Sequence, residues 1–320
     1  MHTIGITGGT GFIGHHLSDL LLKEGYKVIV FTRDMHKVAR RESIKYTYWN
    51  PDEKKFDLSY FDDIVAVINL AGAGLADKRW TQKRKDEIVQ SRVQSTRFLI
   101  EKLREHAPNC KTLVSASAIN YYGIDKPGIV PFHEDRPAAN DFLGTVCKLW
   151  EEAAHTGDDF LRTVILRFGI VLGKDDGAFP RFADPQNMGL IPIIGNGRQV
   201  MSWIHIHDLC NILIWAITND TIRGIFNAVA PHPVTQRRLL KTISKEKSGL
   251  KIPFHVPNAL LAALFGEMPK AVMQSVCVSA DKIQAAGFEF KYPRIEASVK
   301  SILKHAAIDK HNLLNTQTEE

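Results

Sequence analysis

The sequence predicts an α/β protein, a doubly wound parallel sheet that carries a smaller, mainly helical C-terminal lobe. Short β-branched runs at 3–7, 27–32, 65–70, 112–115 and 163–168 alternate with amphipathic helical stretches, the pattern of a parallel sheet covered on both faces. The first run leads straight into a glycine-rich loop and an apolar helix, and a second strand follows at once. Beyond Pro231 the strand-like runs stop, and helix starts and stops take over.

In order, the first strand is followed by GGTGFIG at 8–14. Gly8 permits a tight turn, Gly11 lets the backbone approach a pyrophosphate, and Gly14 allows close packing of helix on strand. The N-terminus of the helix, which carries Leu17, Leu20, Leu21 and Leu22 and runs through Glu24, offers unpaired N–H groups to an anion. Gly25 ends it, and the second strand closes on Thr32 and Arg33, about 25 residues after Gly8. An acidic residue there would bind the ribose 2′-hydroxyl of NAD, whereas an arginine accommodates a 2′-phosphate. Asp34 stands one position late for the acidic role. The expected cofactor is therefore NADP(H), with Arg33 discriminating and Thr32 in support.

Further along, Ile88, Val89, Val93, Phe98, Leu99 and Leu103 give the stretch 81–106 an apolar helical face, and a second helix is expected at 143–155. The stretch 174–199 reads as a loop. A strand at 202–206, a helix capped by Asp208 and a strand at 225–229 follow. Thr235, Pro257, Pro269 and Ser279 mark helix starts, and Gly249 and Gly287 mark stops. The expected division is a dinucleotide-binding domain over 1–173 completed by 202–230, a substrate lobe over 174–201 and 231–305, and a polar tail over 306–320.

Composition narrows the function classes. The chain has 320 residues, 41 basic and 35 acidic, for a formal charge of +6. That balance suits an anionic ligand and lacks the clustering of a nucleic-acid footprint. Cys110, Cys147, Cys210 and Cys277 are far apart with no CxxC, which predicts buried thiols in a reducing compartment, no disulfide framework and no metal site. No signal peptide and no membrane-spanning run is evident, so a cytoplasmic protein with no membrane partner is expected.

Together, GGTGFIG, NLAG at 69–72, SASA at 115–118, YYG at 121–123, RFGIVLG at 167–173 and WIHIHDL at 203–209 resemble an atypical extended short-chain dehydrogenase/reductase. DKRW at 77–80, Ser91 with Arg92, GRQVMSWIH at 197–205 and FNAVAPHPVT at 226–235 resemble more narrowly its "epimerase family" subgroup of NAD(P)-binding proteins, which end in a small helical domain, here about 251–303. The resemblance implies a Rossmann-type sheet and a cofactor site formed by Gly8, Thr10, Gly11, Phe12, Ile13, Gly14, Thr32, Arg33, Leu70, Ala71, Gly72, Arg92, Lys148 and Arg167. A homodimer follows by analogy with the superfamily.

That superfamily works with Asn, Ser and a YxxxK pair, in which the lysine holds the nicotinamide ribose and helps to lower the tyrosine pKa. By the resemblance, Ser117 falls on the serine and Lys148 on the lysine, but Gly144 stands at the tyrosine and Arg92 at the asparagine. Tyr121 and Tyr122, at the C-terminal end of the strand with Ser117, are the candidate replacement proton donors; aromatic packing is the competing role. Met201 stands where related nucleotide-sugar epimerases hold a diphosphate with arginine, and Arg198 is three residues away. His205, His207 and Asp208 read as structural, and Glu134 as a loop carboxylate that could reach the pocket. Two functions remain open: an NADP(H)-dependent oxidoreductase or epimerase-like enzyme on a small substrate, or a non-catalytic NADP(H)-binding sensor.

Overall fold

The computed structural model describes residues 2–36, 41–124, 130–257, 266–267 and 274–304. Strands β1 (Thr3–Thr7), β2 (Lys27–Thr32), β3 (Ile44–Asn50), β4 (Lys55–Phe56), β5 (Ile64–Asn69), β6 (Thr112–Ala118) and β7 (Arg162–Phe168) lie in the main sheet. Two short strands come next, β8 (Ile170–Leu172) and β9 (Leu190–Ile194), then β10 (Val200–Met201), β11 (Trp203–His205) and β12 (Gly224–Ala228). With β12 added, the main sheet has eight strands in the order β12-β7-β6-β5-β1-β2-β3-β4. Each pairing is parallel except β3 with β4.

Alternation along the strands divides the core. In β2, Val28 and Val30 join the cluster holding Leu17 and Leu21 of helix α1 (Phe12–Lys23), while Ile29 and Phe31 face the cluster holding Phe98, Leu99 and Leu103 of helix α2 (Gln82–His106). Strand order reverses between β5 and β2 on either side of β1, so the crevice beyond the C-terminal ends of these strands is the place for a ligand. A third cluster, from Leu172 through Trp203 and Leu239 to Ile302, is the core of the lobe.

The structure departs from expectation at defined places. β3 was not foreseen; its Ile44, Thr47 and Trp49 are buried at the edge of the crossover. The stretch 174–199 holds helix α4 (Phe179–Asn187) and β9, because Phe179, Phe182, Ala183 and Gln186 repeat at helical spacing and are buried. After helix α6 (Gln236–Glu246), capped by Thr235 as expected, the chain forms strand β13 (Ile252–Val256), parallel to β9, rather than helix. Helix α5 (Ile206–Thr218) begins earlier than expected, and its cap is His205, whose Nδ1 accepts the His207 N–H at 3.0 Å. Asp208 instead accepts the backbone N–H groups of Lys291 (3.1 Å) and Tyr292 (2.9 Å), fastening the C-terminal segment to α5. Helices expected from Pro257 and Pro269, and the tail over 306–320, fall outside the described residues. Cys110, Cys147 and Cys210 are buried thiols, while Cys277, expected to be buried as well, is half-buried, and no described helix is long and apolar enough to cross a membrane.

Candidate functional site

Two cavities at the C-terminal edge of the sheet share Leu70 in their walls. The first, of about 390 Å³, lies between the ends of β1, β2 and β5 and is lined by Thr7, Gly8, Thr10, Gly11, Thr32, Arg33, Leu70, Ala71 and Gly72, with Trp49, Asp52, Ser91 and Ser95 behind them. Gly8 turns at φ 67°, and a Cβ there would stand 2.7 Å from the Leu70 carbonyl oxygen. At Gly11 a Cβ would meet only the Gly8 oxygen at 3.3 Å, so this face of the loop is open. Gly14 does not line the cavity; its Cβ would lie 2.4 Å from Gly9 Cα, which fixes the close packing of loop on helix. Phe12 lines neither cavity and packs its ring against His16. Arg33 is largely exposed, with Nη1 3.3 Å from Asp52 Oδ2.

Leu70 also lines the second cavity, of about 330 Å³, which is walled by Ile13, Arg92, Ser117, Ile119, Asn120, Trp150, Phe168, Val200 and Val276. It lies between the sheet ends and the lobe. Ser117 Oγ donates to Glu151 Oε1 at 2.6 Å, and Arg167 grips the same carboxylate twice, Nε to Oε1 and Nη2 to Oε2, both at 2.8 Å. Arg167 Nη1 donates to the Tyr122 hydroxyl at 2.8 Å, which donates to Asn227 Oδ1 at 2.7 Å. The Asn227 N–H donates to Glu134 Oε1 at 2.8 Å, so Glu134 is a structural acceptor. Burial works against the charge on Arg167, and the Glu151 carboxylate outweighs it, holding the guanidinium above its ordinary range.

This network corrects several expectations. Arg167 is locked in a buried ion pair, outside the first cavity. Tyr122 is buried, stacks on Phe132 at 5.2 Å and has its hydroxyl committed at both ends. Burial pushes its pKa up to about 12, unsuited to proton exchange near neutrality. Tyr121 lies against the Arg167 guanidinium, 3.5 Å from ring centroid to Cζ, and lines neither cavity.

Lys148 also stands elsewhere. On helix α3 (Phe142–His155) the buried face carries Leu143, Cys147, Glu151 and Ala154, while Lys148 is 60% exposed with Nζ 3.9 Å from Glu152. Gly144 accepts no side chain for a local reason: its N–H is capped by Asp141 at 2.8 Å and its Cβ would stand 2.3 Å from the Ala139 carbonyl oxygen. One register inward, apolar Leu143 and Cys147 occupy a spacing of four residues. Glu151 escaped the sequence reading, although Leu143, Val146, Cys147 and Trp150 place it on the apolar face by period.

Arg92 reaches from α2 to the second cavity. Its Nη1 donates to the Ile88 oxygen and its Nη2 to the Ala73 oxygen, each at 3.1 Å, and its Cζ lies 5.2 Å from the Trp150 ring centroid. Burial holds its pKa below the ordinary arginine range. Among the described residues no group of metal-ligating side chains is assembled.

Comparison with known proteins agrees with this architecture. Residues 4–228 match the NAD dependent epimerase/dehydratase family, and residues 256–302 match a domain of unknown function, DUF1731. The chain is 33% identical over 310 residues to the chloroplastic SDR39U1 homolog of Arabidopsis thaliana, an epimerase family protein, covering 94% of this chain and 87% of that one. It is 33% identical over 305 residues to the epimerase family protein YfhF of Bacillus subtilis, covering 94% and 97%. A crystal structure of human epimerase family protein SDR39U1 with NADPH superposes with a TM-score of 0.82 at 29% identity, over 94% of this chain and 99% of that one. The UDP-glucose 4-epimerase of Thermotoga maritima, solved with UDP-glucose, shares the fold at a TM-score of 0.78 and 19% identity, over 96% and 99%.

Proposed function

The chain belongs to the NAD dependent epimerase/dehydratase family, and on that premise we propose that it is an NADP(H)-dependent oxidoreductase or epimerase-like enzyme whose small substrate reacts in the second cavity. The observation that carries this reading is Leu70, which lines both the cavity under the glycine loop and the cavity walled by Ser117. The residues fit the cofactor. The open face of Gly11 leaves room for a diphosphate to approach the loop backbone, and the exposed Arg33 guanidinium can turn from Asp52 to a 2′-phosphate. NADPH in the solved human relative supports the same choice.

Bound there, the cofactor supplies or takes a hydride; the remaining chemistry falls to this chain. Ser117 commits its proton to Glu151, so toward the cavity its oxygen accepts a hydrogen bond from a reacting hydroxyl. The Glu151 carboxylate, held twice by Arg167, accepts from Ser117 and so fixes the orientation of its hydroxyl. The described wall of the second cavity contains no Tyr, His, Lys, Asp or Glu, and proton exchange is assigned to water.

That same lack of a titratable donor favours a second reading, a cofactor-binding sensor without turnover. A panel of aldehydes, ketones and nucleotide sugars with NADPH separates the two. As an enzyme, the chain oxidises NADPH with at least one carbonyl, and Ser117→Ala slows it by about tenfold or more while leaving NADPH affinity unchanged. Tight NADPH binding with no turnover across the panel selects the sensor; absence of NADPH binding sinks both.

A further inference from the structure

We infer that the second cavity selects a small monocarboxylate with an apolar body, anchored by Arg92. This rests on the second cavity being the substrate side of the cofactor site, as proposed above. Arg92 is the one charged side chain among the described residues of that wall, which sets apolar Ile13, Leu70, Ile119, Phe168 and Val276 beside a few neutral polar groups such as Ser117 and Asn120. Arg84, Arg162 and Arg167 have carboxylate partners: Glu87 at 2.7 Å, Asp220 at 3.5 Å and Glu151 at 2.8 Å in turn. No described carboxylate pairs with Arg92; its partners are two carbonyl oxygens and the Trp150 ring.

A guanidinium carries five N–H groups in a rigid fork, and those two bonds leave donors for a ligand. Arg92 is half-buried, and a cation held partly out of water without a counter-charge is costly. An anion arriving in the cavity supplies that charge and gains charge-assisted bonds from the fork. The wall balances one negative charge. A nucleoside diphosphate brings more, and the position preceding Ser202 is Met201, itself buried in the lobe core, while Arg198 is exposed to solvent. The space of about 330 Å³ must also take the nicotinamide ring, which leaves room for a small molecule.

The test is calorimetry on the full chain, free and loaded with NADPH, using 4-methyl-2-oxopentanoate, its methyl ester and UDP-glucose. The acid is expected to bind about tenfold or more tightly than the ester, a difference set by the anchoring charge. Arg92→Gln should erase that difference and leave NADPH affinity within about twofold, while Arg92→Lys should retain part of it, since the charge persists without the fork. Equal binding of acid and ester, or tighter binding of UDP-glucose, overturns the proposal. So does a tenfold loss of NADPH affinity in Arg92→Gln, which would give Arg92 to the cofactor. If Arg92→Gln fails to fold in a thermal melt, the parent's acid-to-ester ratio and Arg92→Lys still decide. Acid preference in a chain that does not bind NADPH would sink the proposed function and leave the anion site standing.

Discussion

Arg33 stands at the lip of the first cavity with a partner, Asp52, that is itself well exposed. Such a surface pair contributes about 0–1 kcal/mol, so a 2′-phosphate can displace it. NADPH should therefore bind more tightly than NADH, and Arg33→Asp should narrow or reverse the preference, because a carboxylate repels the phosphate and accepts a 2′-hydroxyl. Equal affinities in the parent, by calorimetry at one salt concentration, would contradict this. Tyr122 makes a different prediction. Tyr122→Phe leaves Arg167 and Asn227 each short of a buried partner and should cost about 1–3 kcal/mol. Burial raises the pKa of this tyrosine from 10.0 to about 12 in the folded chain. The hydroxyl's contribution is therefore complete below about pH 10 and is lost as pH climbs toward 12. Melting curves of parent and variant should differ by a constant amount up to pH 10 and converge above it.

At the scale of elements, the turn from β1 into α1 separates a binding glycine from a folding glycine. At Gly11 a side chain meets the Gly8 oxygen at 3.3 Å and otherwise projects into the cavity, while at Gly14 it would strike Gly9 Cα at 2.4 Å. Gly11→Val should abolish NADPH binding and leave the melting temperature nearly intact; Gly14→Val should lower stability by about 1–3 kcal/mol or more through overpacking. A Gly11→Val chain that binds normally would reduce the loop to a plain turn. Helix α3 gives the complementary case. Because Lys148 lies on its exposed face, Lys148→Ala should change stability by less than about 0.5 kcal/mol and leave NADPH affinity unaltered. A marked loss of affinity would mean that the helix presents this face to the cofactor.

For the whole molecule, the join between sheet and lobe is built of polar bonds as well as apolar packing. Asp208 on α5 takes the N–H groups of Lys291 and Tyr292, and Ser202 accepts from Val278 N–H while donating to the Val276 oxygen at 2.9 Å. Asp208→Ala strips the Lys291 and Tyr292 N–H groups of their acceptor and should cost about 0.5–1.5 kcal/mol per bond. Hydrogen exchange should quicken at Lys291 and Tyr292 more than in β1 or β5, and uniform quickening across the sheet would show that the bond is not local to the join.

The parallel α/β class, the glycine loop and the ends of β1 and β2 were legible in the sequence because each depends on local pattern: β-branched runs, a glycine where φ is 67°, a helix of period 3.6. The closing residues of β2 were readable for the same reason. The second cavity was not. Whether α3 turns Lys148 or Glu151 inward depends on how that helix beds against β6 and β7, and a rotation of one residue exchanges a catalytic lysine for a buried carboxylate. Tyr122 and Arg167 looked like site residues by position along the chain, and only long-range contacts with Asn227 and Glu151 spend their polar atoms in the core. Arg92 is the converse: a helix residue whose lack of a carboxylate becomes visible only once every neighbour from α2, α3 and the end of β5 is in place, since charge balance is a property of the folded surroundings and not of the sequence around it.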